Sequence, residues 1–481
     1  MIGVHTVADI RAAETALMAT LPPGTLMQRA AAGLAATCGR ILGRLYGAQV
    51  TVLVGSGNNG ADALWAGARM AGRGAHTNAI LLSPDRTDLE ALAAFRSSGG
   101  RIVAGDSAGR VLAKADLVLD GIIGIGGRSG LTEQAAQWSA LARNGAGLIV
   151  AVDLPSGIDP DTGEAPGAHV VADVTVTFGA YKTALVIDPA AAAAGMVRLV
   201  DIGLVARLPA ARINVLEASD VAGLLPDPGR ESDKYSRGVV GVLAGSSQYP
   251  GAAILAAGGA VRGGAGMVRY AGPDVVTADV RSRWPEVIAS ADPASTGRVQ
   301  AWTVGSGLGA ERADHVATVL RAGVPVVVDA DALRSLPSRM DSPAVLTPHA
   351  GELARMLGVD RSEVQARRLH FAREAARRWN ATVLLKGTTT LVAAADGRVR
   401  VNLTGTSALA TAGTGDVLAG LVGSLMAAGL DPFDAASVGA YLHGLAGRRA
   451  VKNAAYPSAG DVLDQLPVVL SDSRCVRPSK N

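Results

Sequence analysis

Ala410-Thr-Ala-Gly-Thr-Gly-Asp-Val-Leu-Ala-Gly420 is a glycine-rich turn that runs straight into an apolar helix, and its centre is Gly413-Thr-Gly-Asp416. Two glycines let the backbone bend tightly and bring its N–H groups close to a ligand, and the helix start adds partial positive charge. Together these make a phosphate site. Asp416 falls in the first helical turn, where a carboxylate takes a proton from a hydroxyl about to meet a phosphoryl group. The plainer alternative is a glycine turn with Asp416 as an ordinary N-cap.

Working outward, the 481-residue chain exceeds one typical core, so two domains are expected. With 49% hydrophobic and 18% charged residues it is globular, and 60 glycines beside only 3% aromatics point to aliphatic, closely packed α/β layers. A net charge of +3, from 45 basic and 42 acidic residues, leaves no surplus for a nucleic-acid surface and directs attention to small ligands. Cys38 and Cys475 lie far apart in no metal or redox spacing, which suggests a reducing compartment, the cytoplasm. No apolar run of about 18 residues targets a membrane.

In the amino-terminal half, residues 7–44 read as helical with a break at Pro22-Pro-Gly24. Strands are expected at residues 50–54, 77–82, 117–119 and 148–152, with helices at 63–71, 87–97 and 132–142. This βαβ rhythm implies an open parallel sheet. Loops then fall at its carboxyl edge, where ligands bind. They are residues 55–62, residues 121–130 with Arg128, and Leu154-Pro-Ser-Gly-Ile-Asp159. Asn59, Asp120 and Ser156 offer hard oxygens that suit a hard cation rather than zinc. Asp153 is left as the only nearby group with obvious acid–base capacity, although loop capping explains such carboxylates equally well.

Gly55-Ser-Gly-Asn-Asn-Gly-Ala-Asp62, Asp120-Gly-Ile-Ile-Gly-Ile-Gly126, Val152-Asp-Leu-Pro-Ser-Gly-Ile-Asp159 and Thr177-Phe-Gly-Ala-Tyr-Lys182 resemble, in order, the motifs of the NAD(P)H-hydrate epimerase domain. The resemblance spans residues 8–208 and implies a Rossmann-like domain, set here at residues 1–208. It further implies that Asn58, Asn59, Gly60, Ala61, Asp62, Gly124, Ile125, Gly126, Gly127, Arg128, Ser129, Gly130 and Asp153 contact the hydrated nucleotide. Asn59, Asp120 and Ser156 would hold a potassium ion, and Asp153 would be catalytic. The family usually carries glycine where this chain has Ala61 and Ala63.

A mixed proline and charge segment follows, and the domain join is placed near Pro209. Beyond it, strands are expected at residues 239–243, 267–270, 302–304, 324–328, 382–385 and 390–393. Lys386 and the backbone beside it suit nucleotide phosphates, and residues 413–415 the phosphoryl group in transfer. Tyr249-Pro-Gly-Ala-Ala253, Thr347-Pro-His-Ala-Gly-Glu352, Lys386-Gly-Thr388 and Gly413-Thr-Gly-Asp-Val-Leu-Ala-Gly420 resemble the ADP- or ATP-dependent NAD(P)H-hydrate dehydratase domain, which has the ribokinase-like fold. The chain departs from that pattern at Gly405-Thr-Ser407 and Ala412.

The whole therefore resembles the bifunctional NAD(P)H-hydrate repair enzymes, with the dehydratase domain at residues 209–475. That resemblance implies Lys386, Gly387, Thr388, Thr389, Thr390 and Gly415 as nucleotide ligands. Ala253, Gly307, His349 and Asp416 would face the hydrated cofactor, with Asp416 as catalytic base. It also implies magnesium with ADP or ATP, hydrated NADH or NADPH as substrate, and a homo-oligomer. A vitamin or sugar kinase of the same fold and a non-catalytic nucleotide sensor are the alternatives. The Thr347–Glu352 motif with the fused first domain argues against the former, and the presence of Asp416 against the latter.

Overall fold

The apolar runs of the first half become the strands Gln49–Val54, His76–Leu81, Leu117–Gly121 and Leu148–Val152 of the computed structural model, which describes residues 1–309 and 312–476. By backbone contact the chain divides into one unit, Gly3–Arg212, and a second from Ile213 onward that also takes Met1–Ile2. Cys38 is buried and Cys475 exposed, both as free thiols. No helix among the described residues is long and apolar enough to cross a membrane.

The first unit is built on a seven-stranded sheet in the order Arg101–Ile102, His76–Leu81, Gln49–Val54, Leu117–Gly121, Leu148–Val152, Val174–Phe178, Met196–Val200. Every neighbouring pair is parallel. Side chains alternate between two cores because successive residues of a strand face opposite ways. Val50, Val52, Leu117, Leu119, Val150 and Val152 join Leu34, Leu64 and Phe95 on one face. Leu53, Val118 and Ile149 join Leu112, Trp138 and Ala142 on the other. Burial on both faces is why these strands read as continuous apolar runs. Each such side chain contributes about 1.5–3 kcal/mol. The order reverses direction at Gln49–Val54, so the loops leaving it and Leu117–Gly121 diverge and open a crevice at their carboxyl ends.

The second unit runs Ile288–Ser290, Met267–Ala271, Val239–Leu243, Ala301–Val304, Val326–Val328, Ala344–Leu346, Thr382–Leu385, Thr390–Ala393, Val399–Asn402, Ile213–Val215. Strands as far as Thr382–Leu385 are parallel, and the next two join antiparallel, which makes Lys386 and its neighbours a hairpin turn. Here the switch lies between Val239–Leu243 and Ala301–Val304. The helix Thr414–Ala427 lies against Pro250–Arg262 at close range: a Cβ on Gly420 would stand 2.0 Å from the Ala256 carbonyl oxygen, and one on Gly259 would stand 2.3 Å from that of Val417. Small residues here let the two backbones touch.

Candidate active sites

In the first unit the crevice is a cavity of about 590 Å³ lined by Asn58, Asn59, Asp62, residues 122–127, Asp153 and Lys182, with Arg11 and Glu14 contributed by the helix Val7–Met18. The helix after the first strand begins at Asn58 rather than Ala63, with Gly57 as its cap. Asn58, Asn59 and Asp62 are therefore held on a rigid helical turn instead of a loop. Gly60 and Ala61 form the inner side of that turn, and a Cβ on Gly60 would stand 2.2 Å from the Gly55 carbonyl oxygen. Ala63 is fully buried and fills the space over Gly121. Asn58, Asn59, Asp62, Gly124, Ile125, Gly126, Gly127 and Asp153 thus share one cavity. Arg128, Ser129 and Gly130 do not line it; the Ser129 hydroxyl donates to Asp159 at 3.4 Å and the Gly130 N–H to Gly157 at 2.7 Å.

Asp120 and Ser156 meet directly. The Ser156 hydroxyl donates to Asp120 Oδ1 at 2.6 Å and its N–H to Oδ2 at 2.8 Å, while Ile123 N–H donates to the Ser156 hydroxyl at 2.8 Å. Asn59 packs against Gly124, where a Cβ would stand 2.9 Å from its Oδ1, and its Nδ2 is buried without a partner. Burial pushes Asp120 up to about 6, against the pull of the Ser156 and Ile122 hydrogen bonds, and no cationic side chain pairs with it among the described residues. A sealed carboxylate with oxygen-rich neighbours fits a hard cation.

Asp153 stands just past its strand with φ +65°, a left-handed backbone that costs about 1–3 kcal/mol outside glycine and is typical of functional positions. Its Oδ1 accepts from Lys182 Nζ, from the Thr177 hydroxyl at 3.1 Å and from Phe178 N–H at 3.2 Å. Lys182 is 1% exposed and also donates to Thr177 Oγ1 at 2.9 Å and the Phe178 carbonyl at 3.0 Å. The reading of Asp153 as the sole acid–base group nearby is corrected: Glu14, Asp62 and Lys182 share its cavity. Lys182 closes a motif visible in the sequence, whereas Glu14 sits on a helix distant in the chain and carries no local signal.

In the second unit Gly413 takes φ +90° and caps the helix Thr414–Ala427, which leaves the N–H groups of the first turn pointing outward. Asp416 is thus inside the first turn, not at the cap. A Cβ on Gly415 would stand 3.5 Å from Lys386 Nζ and 3.9 Å from Asp329 Oδ2. Lys386 donates to Asp329 Oδ1 at 2.8 Å and lies 3.9 Å from Glu352, and the Thr347 hydroxyl donates to the same Asp329 oxygen at 2.7 Å. Burial, aided by the Asp329 carboxylate, pushes Asp416 up to about 6, against smaller pulls from Ser306 and Lys386. Burial works to lower Lys386, but the carboxylates of Asp329, Glu352 and Asp416 outweigh it and hold it raised.

His349 caps the helix Ala350–Leu357 through Nδ1, and its Nε2 lies 3.6 Å from Glu352. Burial lowers it, against the pull of Glu352. Glu352 therefore connects the histidine to Lys386. Gly307 packs on Tyr249 and Ala252 at the switch point, beside the buried Ala253. The turn after Lys386 is fixed by Arg368, which donates to the carbonyls of Leu385, Lys386 and Thr389. The hydroxyl of Thr390 is spent on the Gly387 carbonyl at 3.0 Å. Sequence reading missed Asp329, Ser306 and Arg368. Asp329 follows the strand Val326–Val328 as Asp153 follows its own, a signal that was present.

Fold and sites define a two-unit α/β enzyme: a Rossmann-like open sheet with a ligand cavity, then a ribokinase-like unit whose glycine turn faces a lysine and two carboxylates. Residues 240–467 match the family model described as NAD(P)H-hydrate dehydratase, and residues 23–184 the one described as YjeF-related protein N-terminus. The chain is 49% identical over 447 residues to the bifunctional NAD(P)H-hydrate repair enzyme Nnr of Mycobacterium tuberculosis, covering 90% of this chain and 91% of that one. It is 48% identical to the enzyme of the same name from Mycobacterium leprae, covering 95% of each. The second unit is similar to the solved structure of Bacillus subtilis YxkO, a member of the UPF0031 family, at 31% identity and TM-score 0.50, covering 54% of this chain and 99% of that one. The chain belongs to the family of bifunctional NAD(P)H-hydrate repair enzymes.

Proposed function

We propose that residues 1–208 interconvert the R and S forms of hydrated NADH and NADPH, and that residues 209–475 return the S form to NAD(P)H at the expense of ADP or ATP. The observation that carries the proposal is the meeting of Gly415, Asp416, Lys386 and Asp329 at one sheet edge. Lys386, the hairpin turn through Thr390, and Gly415 bind the nucleotide phosphates; Ala253, Gly307, His349 and Asp416 face the hydrated ring. Asp416 takes the proton of the ring hydroxyl, whose oxygen forms a bond to the terminal phosphorus as the bond to the nucleotide breaks. The hydroxyl has become a phosphate, a good leaving group. Its departure, with loss of a proton from the adjoining ring carbon, restores the dihydronicotinamide. Backbone N–H groups at the start of the helix stabilise the transferring group.

Magnesium fits this edge, because Asp329 and Asp416 are hard oxygen donors whose mutual repulsion a cation relieves. Asp329 would hold it together with the nucleotide; bound, it would neutralise phosphate charge. Among the described residues no cluster of three or more His, Cys, Asp or Glu forms a metal cage by itself. Potassium fits Asn59, Asp120 and Ser156 in the first unit, where among the described residues no cationic side chain is paired with Asp120. We further propose a cytoplasmic homo-oligomer. The test is to give the protein mixed epimers of hydrated NADH with ADP or ATP and follow the near-ultraviolet absorbance of regenerated NADH. No regeneration with either nucleotide would sink the dehydratase.

A further inference from the structure

We infer that Asp62 is the second proton-transfer residue of the epimerase cavity and works as general acid with Asp153 as base. The inference deepens the reading of the first unit as an epimerase and rests on it. Asp62 projects from the helix Asn58–Ala71 and lines the same cavity as Asp153, which comes from a different element, the end of the strand Leu148–Val152. The two carboxyls are equipped differently. Asp153 Oδ1 is filled by three donors, among them the Lys182 ammonium. Asp62 Oδ1 is sealed from solvent and has no hydrogen-bond partner.

A bare carboxylate oxygen in such a place is costly, whereas a neutral carboxyl keeps a proton to donate. Its surroundings point the same way: burial first, then the Asp153 and Glu14 carboxylates, hold Asp62 well above the usual carboxylate range. Glu14 is itself raised, by burial and then by Asp153, against Lys182 and Arg11. The charged groups that line the cavity with Asp62 are Glu14 and Arg11 from the helix Val7–Met18, and Asp153 with Lys182 from the sheet edge, and of these Asp153 and Glu14 act on Asp62 directly. A carboxyl with an unpartnered oxygen and one held beside an ammonium divide acid from base.

The substrate carries its hydroxyl on the ring carbon bonded to the ring nitrogen. Asp62 gives its proton to that hydroxyl, the carbon–oxygen bond breaks with its electron pair, and water leaves as the nitrogen lone pair forms a carbon–nitrogen double bond. A second water adds to the other face of the carbon, returns the double-bond pair to nitrogen, and gives its proton to Asp153. One water departs and one enters, and one proton has moved from Asp62 to Asp153. Proton exchange of both carboxyls with solvent resets the pair after each conversion, and the opposite epimer is converted by the same steps in reverse.

Epimer exchange of the full chain is to be measured by chiral chromatography in ¹⁸O-enriched water. Incorporation of one labelled oxygen per epimerisation is expected; retention of the original oxygen, as ring opening would give, overturns the step. Asp62→Asn should lower exchange by at least about 100-fold, with the melting transition of the first unit by calorimetry as the check on folding. Exchange within a few-fold of the parent would leave Asp62 a mere contact. Should the variant not fold, carbon NMR of the parent enzyme decides: the Asp62 carboxyl should still be protonated at neutral pH, and an ionised one refutes the assignment. A parent that exchanges no epimers at all would instead remove the epimerase reading itself.

Discussion

Replacing Asp416 by asparagine tests the chemistry of the second unit at one atom. Asparagine keeps the shape of the side chain in the first helical turn, and Gly413 remains the cap, so the turn and its N–H groups persist. What is lost is a base, and general bases contribute about 100- to 10,000-fold. With Asp416 pushed up to about 6, roughly nine-tenths of the parent enzyme is ionised at pH 7 and roughly one-tenth at pH 5. The ionised form is the base, so activity is lost as pH falls through that value. Parent dehydratase kcat/KM for the nucleotide, which reports the free enzyme, should therefore drop about tenfold between pH 7 and pH 5, while the variant should be slower by at least about 100-fold and flat across that window. Nucleotide affinity, measured by calorimetry, should stay near that of the parent, because Lys386 and Gly415 are untouched. Epimer exchange in the first unit should be unchanged. A variant that turns over at close to the parental rate, or one that keeps the acid limb, would refute Asp416 as the base.

Three further outcomes are expected. Epimer exchange in potassium-free buffer should fall and recover on adding the salt, and Asp120→Ala should abolish the response; exchange indifferent to potassium would remove the cation site. Lys182→Met leaves Asp153 buried beside no ammonium, so it should cost about 3–5 kcal/mol and lower the melting temperature of the first unit by calorimetry. An unchanged melting temperature would mean that Lys182 serves catalysis alone. Phosphorus NMR of a turnover mixture should show nucleotide product and inorganic phosphate without a persistent phosphomonoester, whereas an accumulating sugar or vitamin phosphate would favour a kinase.

Strand positions were legible because a parallel sheet buried on both faces writes itself as runs without polar residues; Val239–Leu243 and Leu148–Val152 lie where those runs do. Strands bordering polar or short segments were not. Val399–Asn402 interleaves Arg400, which is spent on Asp434, and Ala344–Leu346 is only three residues long. Glycine motifs located the loops, but the helix start at Asn58 was obscured because Asn58-Asn-Gly60 reads as a turn in isolation. Packing of Gly60 on the Gly55 backbone is what makes it helical. Residues that act through tertiary proximity left least trace. Arg368 reaches the hairpin from a helix, and Glu14 reaches the first cavity across more than a hundred residues from Asp153, so neither could be paired with its target from spacing.

The two sites of one chain are tested most directly with the pure R epimer of hydrated NADH, supplied with magnesium, potassium and ADP or ATP. If the second unit accepts only the S form, as proposed, NADH can return only after the first unit has inverted the ring carbon. Full recovery of NADH absorbance is expected from the intact protein. Asp153→Asn should leave the R epimer unconverted beyond its spontaneous exchange while still clearing the S epimer. Recovery from the R epimer at equal speed with and without Asp153 would contradict an epimerase in the first unit.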